Sequence, residues 1–452
     1  MSSQEVSEED PLIKPPISVQ FRTLKSLFYK FFESDSKIYV VLINIFLTSL
    51  SSYTLFYSIR LFLSEDLDYS DSMTGTYYAI FGLCIALYLL LLGTYVDVAG
   101  HEIALMQSGL LLICGAILIT FIENAGIFIT TLYTAISIGI ALGIASSKTS
   151  IKDYTTKDTG NVAIALAVIF IIGTSPLSGI IVNFSSALAG DNYWEYRVGF
   201  LVGSFFALMT IIGGFYLNNY SEVHNEVGLP DKSYLQSFRE AVKTKRFWRF
   251  FVLSFLLTLE KTSFRHLDAT LPTYMEREIG ENANYGIVLA FNLVAVVVFT
   301  ICFIPLSYYY NSYSVVTIGA LVSGISPLFF LFGSTYVTCS AFAIGVALAE
   351  SLIVPRMMDY AFHFAPHGEV GVYIGILSAK YYLAMTISGL MSGFLLEEFC
   401  PEDGERDCQY MWLIIAAVAL IAPLTMWIFR SWIEQPLNEL DPYIVDEENE
   451  VK

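Results

Sequence analysis

About a dozen apolar runs, each long enough to cross a bilayer, occupy this chain from Ile38 to Arg430 with short polar breaks between them. A hydrocarbon core ~30 Å thick is spanned by ~20 apolar residues of helix. Hydrophobic residues make up 55% of the sequence and charged ones 15%, more apolar surface than a water-soluble fold could bury. The expected fold class is therefore all-α: a polytopic membrane protein with twelve transmembrane helices. The runs fall at roughly 38–63, 74–96, 102–122, 126–147, 160–184, 196–216, 247–273, 284–308, 313–334, 337–364, 369–395 and 410–430.

An even number of spans puts both ends on one side, and Lys and Arg say which. Segment 1–37 carries Lys14, Arg22, Lys25, Lys30 and Lys37. Loop 148–159 carries Lys148, Lys152 and Lys157, and loop 217–246 carries Lys232, Arg239, Lys243, Lys245 and Arg246. The alternate loops hold little beyond Arg277 and Arg406, so both termini are expected in the cytosol. The net charge of −18 reflects acidic outer loops, Glu65 to Asp71 and Glu397 to Asp407. These read as a solvated rim, or as a lure for cations. Nothing points to nucleic acid. The polar tail 1–37 reads as disordered, with the first helix as an internal start signal. Within it, Glu8-Glu-Asp-Pro-Leu12-Ile13 fits an acidic dileucine sorting signal, so the membrane is the plasma membrane or an endosomal or lysosomal one. Cys84, Cys114, Cys302 and Cys339 lie in apolar runs and read as packing residues. Cys400 and Cys408 flank an outer loop where oxidation is chemically permitted. Asn183-Phe184-Ser185 is a sequon on the same side, close to the membrane.

The longest cytosolic loop divides the runs six and six. This gives an N-terminal bundle over 38–216, a linker over 217–246, a C-terminal bundle over 247–430 and a tail over 431–452. Two pseudo-symmetric six-helix bundles are expected, because Ala135, Ile138, Gly139, Ala141 and Leu142 before Asp153-Tyr154 recur as Ala341, Ile344, Gly345, Ala347 and Leu348 before Asp359-Tyr360. The loop between helices 2 and 3 reads Gly93-Thr-Tyr-Val-Asp97-Val-Ala-Gly100-His101. It resembles the G-x-x-x-D-x-x-G-[RK] signature of the major facilitator superfamily, with His101 and then Glu102 where the basic residue stands. The resemblance covers about 38–430 and implies alternating access, in which two bundles rock about a site near the bilayer midplane.

Ionisable groups inside spans are costly and face an interior. Helix 7 carries Glu260, Lys261, Arg265, His266 and Asp268, with Lys261, Arg265 and Asp268 at i, i+4 and i+7 on one face. They read either as a mutual salt-bridge network that latches helix 7 to helix 1 on the outer side, with Arg265 or Asp268 pairing with one another or with helix 1 near Tyr57 or Arg60, or as a substrate and proton site. Glu350 in helix 10 and Lys380 in helix 11 lie at matching depth and are expected to pair. Arg356, Asp359 and His363 near the end of helix 10, with Lys152 and Asp153 after helix 4, read as a cytosolic gate together with Gly93, Asp97 and Gly100. Tyr53, Tyr57, Asn292, Tyr381 and Tyr382 are candidates for a cavity wall, with packing as the alternative. Glu350-Ser-Leu-Ile-Val-Pro355, Ala365-Pro366 and Gly375 are similar to the E-x-x-x-S-P…A-P…G pattern of proton-dependent oligopeptide transporters. That similarity implies a cavity-lining role for Glu350. Phe56-Tyr57-Ser-Ile-Arg60 looks like the tail of their helix-1 motif, but Ser52 and Tyr53 stand where its acid and arginine would be.

The expected function is a monomeric secondary transporter of a small organic solute, with protons as the coupling ion. No G-x-x-x-x-G-K-[ST] loop is present, so ATP does not drive it directly. No catalytic residue, metal or cofactor is assigned, and enzymatic activity is not expected. The alternatives are a transporter-fold sensor or partner subunit, whose cavity would be plugged, and a lipid or amphiphile translocator, whose cavity would open sideways.

Overall fold

The computed structural model describes residues 17–434 except 68, 70, 123, 191–193, 195–196, 222–233, 281–282, 304–309, 366–368 and 403. The Glu8–Ile13 signal, Pro366, the middle of the linker and residues 435–452 lie outside the described residues, as does the side chain of Arg60.

Among the described residues, twelve long helices follow one another. Helix 1 is Lys37–Leu61, helix 2 Asp71–Ala99 and helix 3 His101–Phe121. Helix 4 runs from Ala125 to Asp153 through a π-turn at Leu132–Ile136, where Ser137 donates to the Leu132 carbonyl at 2.8 Å. Helix 5 is Lys157–Ala189, helix 6 Val198–Ser221 and helix 7 Lys245–Ala269, extended by Leu271–Glu278. Helix 8 is Tyr285–Phe303, helix 9 Ser312–Ile325 with a 3-10 continuation to Phe332, helix 10 Tyr336–Phe364, helix 11 Val370–Phe399 and helix 12 Cys408–Ile428. Eleven of them are long and apolar enough to cross a membrane. Helix 7 is equally long, but carries Glu260, Lys261, Arg265 and Asp268 within its run.

Local chemistry sets the ends. Asn124 Oδ1 accepts from Gly126 and Ile127 N–H and starts helix 4. Thr156 with Thr159, and Thr335 with Thr338, form capping boxes at helices 5 and 10. Pro176, Pro355 and Pro423 lie inside helices 5, 10 and 12, each depriving a carbonyl one turn earlier of its donor. Around the outside, Leu110, Ile180, Phe332 and Trp427 are exposed, as a lipid-facing surface requires. Helices 1, 3, 4, 5 and 6 pack mainly within the first six, and helices 7, 8, 9, 10 and 12 within the second six, whereas helices 2 and 11 pack chiefly against each other. Helix 11 lies along helix 2 as the longest seam between the two groups, with helices 5 and 8 on the other flank.

Three expectations are corrected. Helix 4 continues to Asp153, so Lys148 is helical and inward rather than in a loop. Residues 17–32 are helical rather than disordered, because Leu27, Phe28 and Phe31 repeat at helical spacing and sit against helix 5 and its neighbours. Asn183 lies within helix 5 rather than at its end. Cys400 and Cys408 form a disulfide on the outer loop.

Candidate functional site

A cavity of about 110 Å³ lies between the two bundles. Helices 1, 4 and 5 form one wall, and helices 7, 10 and 11 the other. The first wall brings Ser49, Ser52, Tyr53, Ser147 and Lys148 among aliphatic residues. The second brings Lys261, Phe264, Glu350, Ser378, Lys380, Tyr381 and Tyr382.

The expected pairing of Glu350 with Lys380 is wrong. Glu350 pairs with Lys261 of helix 7 at 2.5 Å, and both side chains are almost fully buried. Helices 7, 10 and 11 all adjoin one another, so matching depth did not single out which lysine meets the carboxylate; the side chain of Lys261 does. Lys261 also sits 3.9 Å from the Phe264 ring centroid and 5.0 Å from that of Tyr381, the geometry of a cation over aromatic faces. Lys380 makes no hydrogen bond or ion pair with any described residue, though it is only 6% exposed. Lys148 Nζ donates across the interface to Ser378 Oγ at 3.0 Å. Glu260 is fully buried and lies behind the wall. Neither carboxylate oxygen has a hydrogen-bond partner, and Ser323 donates to its backbone carbonyl instead.

Above the cavity, Arg265 is bonded to Tyr381 OH at 3.0 Å and to Asp268 at 3.3 Å. Asp268 also accepts from Tyr285 of helix 8 at 3.3 Å. Among the described residues neither Arg265 nor Asp268 bonds to helix 1, so the latch runs to helices 8 and 11. Helix 1 meets this cluster through Tyr53, whose hydroxyl lies 3.0 Å from that of Tyr381. Tyr57 turns to Ser175 of its own bundle and is not in the cavity wall. His266 is buried against Thr270 at 2.7 Å, and Asn292 donates to the Ala343 carbonyl at 2.8 Å; neither lines the cavity.

On the face where helix 1 begins, the glycine motif makes a second inter-bundle contact. Asp97 accepts from the backbone N–H groups of Gly371 and Val372 at 2.6 and 3.1 Å. These are unsatisfied donors at the N-terminus of helix 11, where a carboxylate is favoured by both hydrogen bonding and the helix dipole. Gly93 and Gly371 touch backbone to backbone, and a Cβ on either would strike the other's carbonyl. Gly100, at φ 88°, makes the turn into helix 3. His101 takes the basic position, its ring nitrogens 3.0 Å from Glu102 and 3.2 Å from Asp153. Asp359 pairs with His363 at 3.3 Å, while Arg356 donates to the Phe303 carbonyl at 3.3 Å, so Arg356 and Asp359 serve different neighbours. Lys152 adds an inter-bundle bond to the Phe362 carbonyl at 2.9 Å.

Lys148 and Ser378, with Ser49, Ser147 and Phe264, are cavity-lining residues that sequence reasoning missed. Ser146-Ser147-Lys148-Thr149-Ser150 reads as a polar break. The available signal was Ile140, Ile144 and Ile151 continuing at helical spacing through it.

Two helical bundles that enclose a polar cavity and bond to each other on either side of it have the architecture of a membrane carrier. The sequence matches the Major Facilitator Superfamily over residues 41–274 and again over 262–444, and the chain belongs to that family of multi-pass transporters. A POT family transporter in complex with a thioalcohol-conjugated peptide has a similar structure, with TM-score 0.64 and 15% identity over 88% of this chain and 96% of that one. A POT family transporter in complex with 5-aminolevulinic acid aligns with TM-score 0.63 and 15% identity over 88% and 96%. The proton:xylose symporter XylE bound to 6-bromo-6-deoxy-D-glucose aligns with TM-score 0.61 and 14% identity over 87% and 95%. At these identities the likeness is one of fold. No curated protein sequence matches the chain.

Proposed function

We propose that the chain is a secondary active transporter that moves a small organic solute by alternating access, coupled to protons. The domain division is part of the reading: bundles 38–216 and 247–430 rock about the cavity, with 217–246 as the linker. The observation that carries it is the buried Lys261–Glu350 pair in the wall of a cavity between bundles. A carboxylate whose only ion-pair partner among the described residues is a cavity-lining ammonium changes the cavity's charge when it takes a proton, and that links proton occupancy to solute binding. Protonated Glu350 would release Lys261 to the cavity. The contacts of Asp97 with helix 11 and of Tyr53 with Tyr381 are few and polar, suited to breaking and re-forming. The similar structures include a proton:xylose symporter and a POT family transporter in complex with a thioalcohol-conjugated peptide, in keeping with a proton-coupled organic solute.

The test is uptake by proteoliposomes from a solute library, with and without an inward proton gradient. Wild type should accumulate a solute only with the gradient. Glu350→Gln, which fixes the neutral state, should keep solute exchange and lose the gradient response. Gradient-driven accumulation by Glu350→Gln at the wild-type rate removes Glu350 from coupling. Absence of exchange for every solute would leave the sensor reading.

A further inference from the structure

We propose that the solute is a small organic anion, its carboxylate held between Lys148 and Lys380 and its apolar body against helices 5 and 10; this rests on the transporter reading above. The charge count in the wall is the first support. Among the described residues, Lys148, Lys261 and Lys380 line the cavity with a single carboxylate, Glu350, and that carboxylate is already paired with Lys261. Counting Glu260 behind the wall as ionised still leaves three ammonium groups against two carboxylates. Arg265 and Asp268 nearby neutralise one another. At least one positive charge therefore faces a small space walled by protein, where low polarisability makes a missing counter-ion expensive.

The second support is placement. Lys380 reaches no acceptor among the described residues, and Lys148 reaches only the neutral hydroxyl of Ser378. The two lysines come from opposite bundles, helix 11 and helix 4. An anion between them supplies the missing charge and bonds the two bundles through itself. Its binding energy is thereby directed to the closed arrangement. Lysine presents a compact charge with rotatable donors and demands no planar fork, so one carboxylate oxygen can serve each ammonium. The third support is the apolar part of the wall: Ile171, Ile172, Val354 and Met358, from helices 5 and 10, offer no polar group to a hydrated inorganic ion. An aliphatic or aromatic body satisfies them.

The test measures thermal unfolding of the full purified chain in detergent at constant ionic strength. The probes are butyrate, hexanoate, succinate and benzoate, the amides and amines of the same skeletons, glycerol 3-phosphate, and inorganic phosphate as control. One or more carboxylates should raise the midpoint saturably while the matched amide and amine do not. Glycerol 3-phosphate acting alone would exclude a carboxylate and overturn the proposal, as would an amide or amine that stabilises equally, or no carboxylate that stabilises at all. Lys380→Gln and Lys148→Gln should each weaken the effective carboxylate about tenfold or more, the size of one lost charge-assisted hydrogen bond, and Lys380→Arg should retain most of it. Lys380→Gln should also unfold at a higher temperature than wild type without ligand, because it removes an uncompensated charge. A lower ligand-free midpoint for Lys380→Gln counts against the proposal. Counterflow of the stabilising carboxylate separates this inference from the transporter reading. Binding without counterflow would refute transport and leave the anion site. Counterflow of an uncharged sugar or an amine, with no carboxylate bound, would do the reverse.

Discussion

Helices 1, 4 and 5 give the cavity hydroxyls and one cation, whereas helices 7, 10 and 11 give it two cations, a carboxylate and two tyrosines. Even the hydroxyls of the N-terminal wall are largely committed to their own helices. Ser52 donates to the Thr48 carbonyl at 2.8 Å and Ser147 to the Gly143 carbonyl at 2.6 Å. That wall is electrostatically quiet apart from Lys148. The C-terminal wall holds a buried ion pair and, above it, Arg265 bridging Tyr381 and Asp268. The difference lies in the side chains that each bundle turns toward the cavity. Charge state should be read by the C-terminal bundle, and its movement should be felt by the other through Lys148, Tyr53 and Asp97.

The largest expected effect tests this asymmetry directly. Lys261→Met leaves Glu350 buried without its partner, and breaking one side of a buried pair costs about 3–5 kcal/mol. The unfolding free energy in detergent should fall by that order. The double change Lys261→Met with Glu350→Leu should recover most of it, since an apolar pair of similar volume replaces both charges. Ser147→Ala across the cavity removes one hydrogen bond within its own helix and should cost about 1 kcal/mol. Equal losses from Lys261→Met and Ser147→Ala would break the comparison.

Next in size is the latch on the face where helix 1 begins. Asp97→Asn keeps the shape but offers one carbonyl oxygen to two N–H groups and loses the charge that favours a helix N-terminus. Charge-assisted hydrogen bonds contribute about 1.5–3 kcal/mol, so the arrangement open on that face should gain about tenfold or more in population. A cysteine at Met358 in the cavity wall, with the four free cysteines replaced, would be labelled faster by an impermeant thiol reagent from that side. Unchanged labelling would show that the backbone contact of Gly93 with Gly371 holds the face shut without Asp97.

Much of the scaffold was legible in the sequence, because span length and apolar composition are one-dimensional properties. Helix 7 was legible as a span despite its charges, since its neighbours fixed the count. The glycine motif announced a tight contact, but not that Asp97 would bond to the start of helix 11, 274 residues away. The carboxylate of Glu350 was legible as a cavity group, yet its partner was misassigned. Depth along a helix orders residues in one dimension, and pairing is decided by rotation about the axis and by which helices adjoin. Lys148 was lost for a related reason. Its serine-rich surroundings look like a loop to a composition argument, and only burial between bundles makes that stretch helix interior.

The smallest expected effect sharpens the same contrast at the contact where the halves meet. Tyr53 and Tyr381 share one hydroxyl contact at 3.0 Å, but the two rings are not equivalent. Tyr381 also accepts from Arg265 and lies under its guanidinium at 5.1 Å, whereas the Tyr53 hydroxyl makes no other hydrogen bond to a described residue. Tyr53→Phe therefore removes one neutral bond, at about 0.5–1.5 kcal/mol, and leaves Tyr381 still partnered. Tyr381→Phe removes that bond and an acceptor for a buried guanidinium, so it should cost more than Tyr53→Phe. The double variant should cost little beyond Tyr381→Phe alone, because the shared bond is already gone. Thermal unfolding of the three variants reads this ordering. A Tyr53→Phe loss that equals or exceeds that of Tyr381→Phe would place the critical chemistry of the contact on the N-terminal wall, against the division of labour drawn here.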